Sequence, residues 1–279
     1  MQQVEPTMNM HSQLKSFWFS VAAVAAIIPG AASAHDFWLQ PDRLTVAPGE
    51  EIQISLREGM DFKGNTLPYI PEWFRDFSVV TPAGRSDVES IPGDDPAARL
   101  TVTDNAMLVG YHSNRNYTEL DAAKFNGYLE EEGIEFIRQL RIERGEDDLP
   151  APEFFVRCAK ALIYAGPSDG EIYRTDLGYT LELTPQADPQ TITAGGKLPF
   201  LLTFRGKPAA DLLVQAFTRD DPTTRQRIRT NEAGIAEISI TEAGVWLVKA
   251  VNIQAIVGDP KAKWQSYWAS FVFEINDEN

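Results

Sequence analysis

The chain has 279 residues, enough to bury a sizeable core without covalent staples, and its one cysteine, Cys158, excludes an internal disulfide. Asp and Glu number 40 against 25 Lys and Arg, giving a formal net charge of −15. That balance argues against nucleic acid and anionic lipid, both of which are bound through clustered Lys and Arg; it suits a cationic ligand, or simply a solubilising surface.

Residues 1–34 read as a secretory signal peptide. Lys15 supplies the basic n-region, residues 17–30 carry no charge, and Ala32-Ser33-Ala34 forms a small-residue cleavage site. The alternative is a retained membrane anchor, but the charge-free stretch is shorter than the roughly 20 residues a spanning helix needs. Met8 and Met10 compete with Met1 as the true start. Cleavage after Ala34 would leave a periplasmic or secreted chain with no later segment apolar enough to span a membrane.

From residue 35 the pattern is of short strands between turns. "HDFWL" reads as a first strand, with Phe37 and Leu39 on one face. Alternating runs at 44–46 and 52–56 are joined by Pro48-Gly49, "DFSVVTPAGRSDVESI" gives a second pair, and "ARLTVTDNAMLVGYHSN" a third. Alternation with Pro and Gly punctuation predicts a β-sandwich or barrel. The texture changes over about 120–165, where Phe125, Leu129, Ile134, Ile137 and Leu140 fall at helical spacings interrupted by Gly133, predicting two short helices. "APEFFVRCAKALIYAG", opening on a proline and stopping at Gly166, predicts a further helix containing a packed Cys158. Strands resume at "DLGYTLELTP", and 185–189 reads as a linker. The remaining runs suit an immunoglobulin-like sandwich, with "WQSYWASFVF" as a central strand apolar on both faces. The expected fold is mainly β: a sandwich-like domain with a helical insertion over 35–184, then an immunoglobulin-like sandwich over 185–279.

"AHDFWLQP", "SNRNYTELDAAKFNGYLEEEGIE", "RCAKAL", "LELTPQADP", "GVWLVKAV" and "WQSYWASFVFE" together resemble the DUF4198 family, also labelled NikM-like, a component of nickel uptake. The resemblance covers the chain after residue 34. It implies handling of nickel or cobalt at the cell envelope, beside a transporter. At position 112, where the family more often has arginine, this chain has histidine.

Cleavage after Ala34 would give His35 a free α-amine beside its imidazole Nδ1, two donors that close a six-membered chelate ring on one metal. A second imidazole would make a histidine brace, and His112 is the only other histidine beyond residue 34. Amine and imidazole nitrogens suit Cu, Ni and Zn. Because an α-amine has a pKa of roughly 7.7–8, binding should weaken in acid. Asp36, Asp61 and Glu119 are candidate carboxylate ligands, each alternatively a solvated charge or turn residue; Asp61 and Gly64 belong to a loop that could cover the terminus. Glu130 to Glu132 read as the polar end of a helix. Arg115 and Lys124 are candidates to hold an anion or brace that helix.

No Gly-x-Ser-x-Gly, phosphate-cradling glycine loop or His-Glu-x-x-His is present. The expected function is therefore a non-enzymatic, exported protein that binds Ni, Co or Cu and works with an envelope transporter or outer-membrane receptor. The alternatives are an interaction module that binds no metal and a copper-dependent oxidative enzyme using the amino-terminal histidine.

Overall fold

The computed structural model describes residues 1–2, 35–167 and 170–276. The expected leader and its cleavage site lie outside the described residues, apart from Met1 and Gln2. Contacts separate Met1–Ala31 from the compact unit Ala32–Asn279, which contains all the described strands and helices. Among the described residues no helix is long and apolar enough to cross a membrane.

The unit is mainly β. Its first strands are β1 (Asp36–Pro41), β2 (Glu51–Met60), β3 (Lys63–Leu67), β4 (Phe74–Thr81), β5 (Gly84–Asp87), β6 (Ala98–Thr101), β7 (Ala106–Ser113) and β8 (Asn116–Leu120). Two helices, α1 (Ala122–Glu131) and α2 (Glu135–Glu143), precede the long strand β9 (Ala151–Tyr164). Then come β10 (Leu181–Pro185), β11 (Lys197–Phe204), β12 (Lys207–Pro208), β13 (Leu213–Thr218), β14 (Gln226–Arg229), β15 (Ile235–Ser239), β16 (Gly244–Ala255) and β17 (Trp264–Ile275).

Three layers result. The central sheet has nine strands in the order β14-β13-β16-β17-β9-β7-β4-β5, with β8 also on β9. A four-stranded sheet of β1, β2, β3 and β6 covers one face and another of β10, β11, β12 and β15 covers the other. Side chains alternate across the central sheet, so successive residues of one strand serve different cores. In β9, Cys158 and Leu162 join the core under β10 and β11, whereas Ala159 and Ile163 join the core under β1 and β2.

The helices complete the layer beside β1 and β2. The Asp121 side chain caps α1 by accepting from the Lys124 N–H at 2.8 Å, and Gly133, with φ of 65°, ends it before α2 begins. Phe125, Leu129, Ile134 and Ile137 bury against Val251, Ile253 and Trp264. The expected pair of short helices broken at Gly133 is present.

Three expectations are corrected. Residues 151–164 form a strand, not a helix: β9 lies between β7 and β17 and is covered on both faces, so its apolar residues lose the two-residue alternation that identifies a half-buried strand. Residues 44–46 are not a strand; Thr45 makes one isolated parallel bridge to Tyr164. The runs at 98–101 and 106–113 are both strands but not a hairpin, because β6 pairs with β2 in one layer and β7 with β4 and β9 in another.

β9 and β17 pair in parallel from Glu153 opposite Trp264 to Ala161 opposite Val272. The division expected between residues 184 and 185 falls inside β10, and the central sheet takes strands from both sides of it. As expected, β17 is buried on both faces.

Candidate metal centre at His35

β1 fixes the place of His35. Phe37, Trp38 and Leu39 are all buried: Phe37 lies 4.8 Å from the Tyr111 ring and Trp38 meets Phe62 edge-on at 5.9 Å. Asp36 is buried as well, its carboxylate 2.6 Å from Nζ of Lys249, which reaches Glu132 at 2.7 Å on its other side. Gln215 donates to the second Glu132 oxygen at 3.0 Å. The ion pair locks the backbone directly after His35 and engages the Asp36 carboxylate with Lys249, away from His35.

His35 itself is half-buried, with Nδ1 3.6 Å from Oε1 of Glu58. Glu58 sits opposite Phe37 in the β1–β2 register and is clamped by Arg157, whose guanidinium nitrogens lie 2.9 and 3.1 Å from its two oxygens. Burial acts to raise the Glu58 carboxyl, but the hydrogen bond and charge of Arg157, with His35 adding to them, outweigh it and hold the pKa below its ordinary value. Glu58 is therefore an anionic oxygen donor facing the imidazole. The hairpin behind it is tight. Gly59 and Gly64 are directly opposed in the register, and a Cβ on Gly64 would stand 2.0 Å from the Glu58 carbonyl oxygen.

The other expected ligands lie elsewhere. His112 is buried on the opposite face of the central sheet: its neighbour Tyr111 packs on Phe37, while the His112 ring packs edge-on against Tyr179 at 5.0 Å and its Nε2 lies 3.2 Å from Oγ1 of Thr180. A brace between His35 and His112 is not assembled. Asp61 occupies the tip of the β2–β3 hairpin with φ of 54° and is bound to Arg225. Glu119 is exposed on β8, accepting from the Tyr117 hydroxyl at 3.1 Å. Among the described residues, no three His, Cys, Asp or Glu side chains gather into a metal-ligating group.

Glu58 and Arg157 carry no signal in the sequence that singles them out. Glu58 lies in the same "REGMDF" stretch as Asp61, but only the strand register puts it next to His35. Cys158 is buried, and burial pushes its thiol up to about 12, which makes it a packing residue.

Compared with known proteins, residues 32–254 match a family model described as "Domain of unknown function (DUF4198)". No curated protein matches. A solved structure, "Crystal structure of tetra-tandem repeat in extending region of large adhesion protein", aligns at 12% identity over 86% of this chain and 49% of that one, with a TM-score of 0.19. The chain thus spans about half of that structure's length, and so low a score transfers neither fold nor activity.

Proposed function

The chain belongs to the DUF4198 family, and on that premise we propose an exported, non-enzymatic envelope protein that binds nickel, cobalt or copper at His35. The finer NikM-like role, delivery of metal beside an uptake system, is part of the same proposal. The observation that carries it is the pairing of His35 Nδ1 with the Glu58 carboxylate at 3.6 Å, directly before a strand whose first residue is locked by Lys249.

Removal of the residues before His35 would add the α-amine to those two donors. Metal–ligand bonds of about 2.0–2.2 Å put adjacent donors roughly 3 Å apart, so a small inward movement would let both side chains bind one ion. Two nitrogens and a carboxylate oxygen suit Cu(II) or Ni(II) in tetragonal geometry, with open positions for water or a receiving ligand. Arg157 opposes the metal by holding Glu58, which favours exchangeable binding over permanent retention.

Calorimetric titration of copper and nickel into the chain beginning at His35, beside one with an alanine placed before it, tests the proposal. Tight binding by the first and weak binding by the second makes the His35 amine a ligand. Equal binding moves the site away from the amine. Failure of both to bind removes metal handling and leaves the interaction-module reading.

A further inference from the structure

On the face of the central sheet opposite β1 lies a cavity of about 360 Å³, lined among others by Arg75, His112, Arg115, Arg205, Gln265 and Tyr267. Among the described residues none that lines it is acidic, in a chain where Asp and Glu outnumber Lys and Arg by 40 to 25. Three separate parts of the fold supply the arginines. Arg75 stands where the β4–β7 register shifts between Phe74 and Asp76, an irregularity that re-aims a side chain. Arg115 lies between β7 and β8, and Arg205 in the tight β11–β12 turn with φ of 53°.

Each guanidinium is held by a neutral acceptor. Arg75 lies 2.6 Å from Nε2 of His112; because arginine only donates, Nε2 must accept, and the ring proton resides on Nδ1, which donates to the Ser113 carbonyl at 2.9 Å. Burial pushes the His112 pKa down to about 4, and the charge of Arg75 assists, so the imidazole orients Arg75 without adding charge. Arg115 donates to Oε1 of the buried Gln265 at 2.7 Å and stacks over Phe154 at 3.6 Å. Arg205 donates to the Tyr267 hydroxyl at 3.2 Å. Among the described residues Arg75 and Arg205 form no ion pair, and Arg115 has one long contact, 3.9 Å to Asp259. A guanidinium has five donor hydrogens, so each retains capacity for a ligand.

We propose that this cavity binds a small organic anion carrying at least two carboxylate or phosphate groups. Planar guanidinium forks fit both kinds of oxyanion. The volume lies near the lower end of the ~300–1,000 Å³ typical of small-molecule pockets. Val156 and Tyr267 add carbon surface for the ligand's backbone, and the net charge of −15 disfavours long polyanions. Being on the opposite face of the sheet, this site does not depend on metal at His35.

Calorimetry in metal-free buffer with citrate, fructose 1,6-bisphosphate and, as a single-charge control, acetate tests the site. At least one polyanion should bind with a Kd below about 1 mM, and acetate should not. Arg75→Gln and Arg205→Gln should each weaken that binding about tenfold or more, while Arg138→Gln, on the outside of α2, should not. Citrate alone binding identifies a polycarboxylate site and the bisphosphate alone a phosphate site, both within the proposal. Absence of binding by both, or binding unchanged in the Arg75 and Arg205 variants, overturns it.

Discussion

The carboxylate of Asp36 and the ammonium of Lys249 form a buried ion pair at 2.6 Å that joins the first strand to β16 of the central sheet. Lys249 also holds Glu132 at the end of α1. Burial acts to lower the Lys249 pKa, but the two carboxylates outweigh it and hold it above its ordinary value. Lys249→Met would leave two buried carboxylates facing each other, and urea unfolding should show a loss of about 3–5 kcal/mol. Lys197→Met, at the exposed pair with Glu237, should cost less than about 1 kcal/mol.

Glu153 and His112 should impose opposite pH dependences on stability. Burial pushes the Glu153 carboxyl up to about 7, although the Ser266 hydroxyl donates to it. The folded state then holds a proton that the unfolded state releases, so this contribution is complete below about pH 4.5 and is lost as pH rises to about 7. His112, pushed down to about 4 from 6.5, contributes stability above pH 6.5 that is lost as pH falls towards 4. Unfolding free energies of Glu153→Gln and His112→Gln, each subtracted from the parent across pH 4 to 8, should slope in opposite directions. Parallel slopes would contradict one of the two assignments.

Arg157 holds the Glu58 carboxylate, so in the proposed site it would compete with metal for Glu58. Arg157→Gln should tighten copper or nickel binding by about tenfold, and Glu58→Gln should weaken it by a similar factor. Titration of both variants of the chain beginning at His35 measures this. Unchanged affinity in both would place the metal away from Glu58.

Gly64 has no room for a side chain, since its Cβ would lie 2.0 Å from the Glu58 carbonyl oxygen. Gly64→Ala should destabilise the chain by about 2 kcal/mol and weaken the proposed metal binding by displacing Glu58. Alanine at exposed Gly127 of α1, where no heavy atom lies within 4 Å of the added carbon, should leave stability unchanged or raise it.

Cys158 should react with a thiol reagent only when the chain unfolds, because it is buried and its thiolate is disfavoured. Rapid labelling in native buffer would show that the central sheet opens locally.

The mainly β class, most strand positions and the helix break at Gly133 are legible in the amino-acid order. These features depend on local chemistry: two-residue alternation, turn-forming Pro and Gly, and a left-handed φ at the end of α1. Periodicity misassigns β9 because both its faces are covered, by one core through Cys158 and another through Ala159, and a strand buried on both sides has no polar beat. Strand partners and register are equally non-local. They place His35 beside Glu58, send His112 to the opposite face, and bring Arg75, Arg115 and Arg205 around one cavity. Which side chains meet is set by hydrogen-bond pairing between strands far apart in the chain, and no local pattern records that choice.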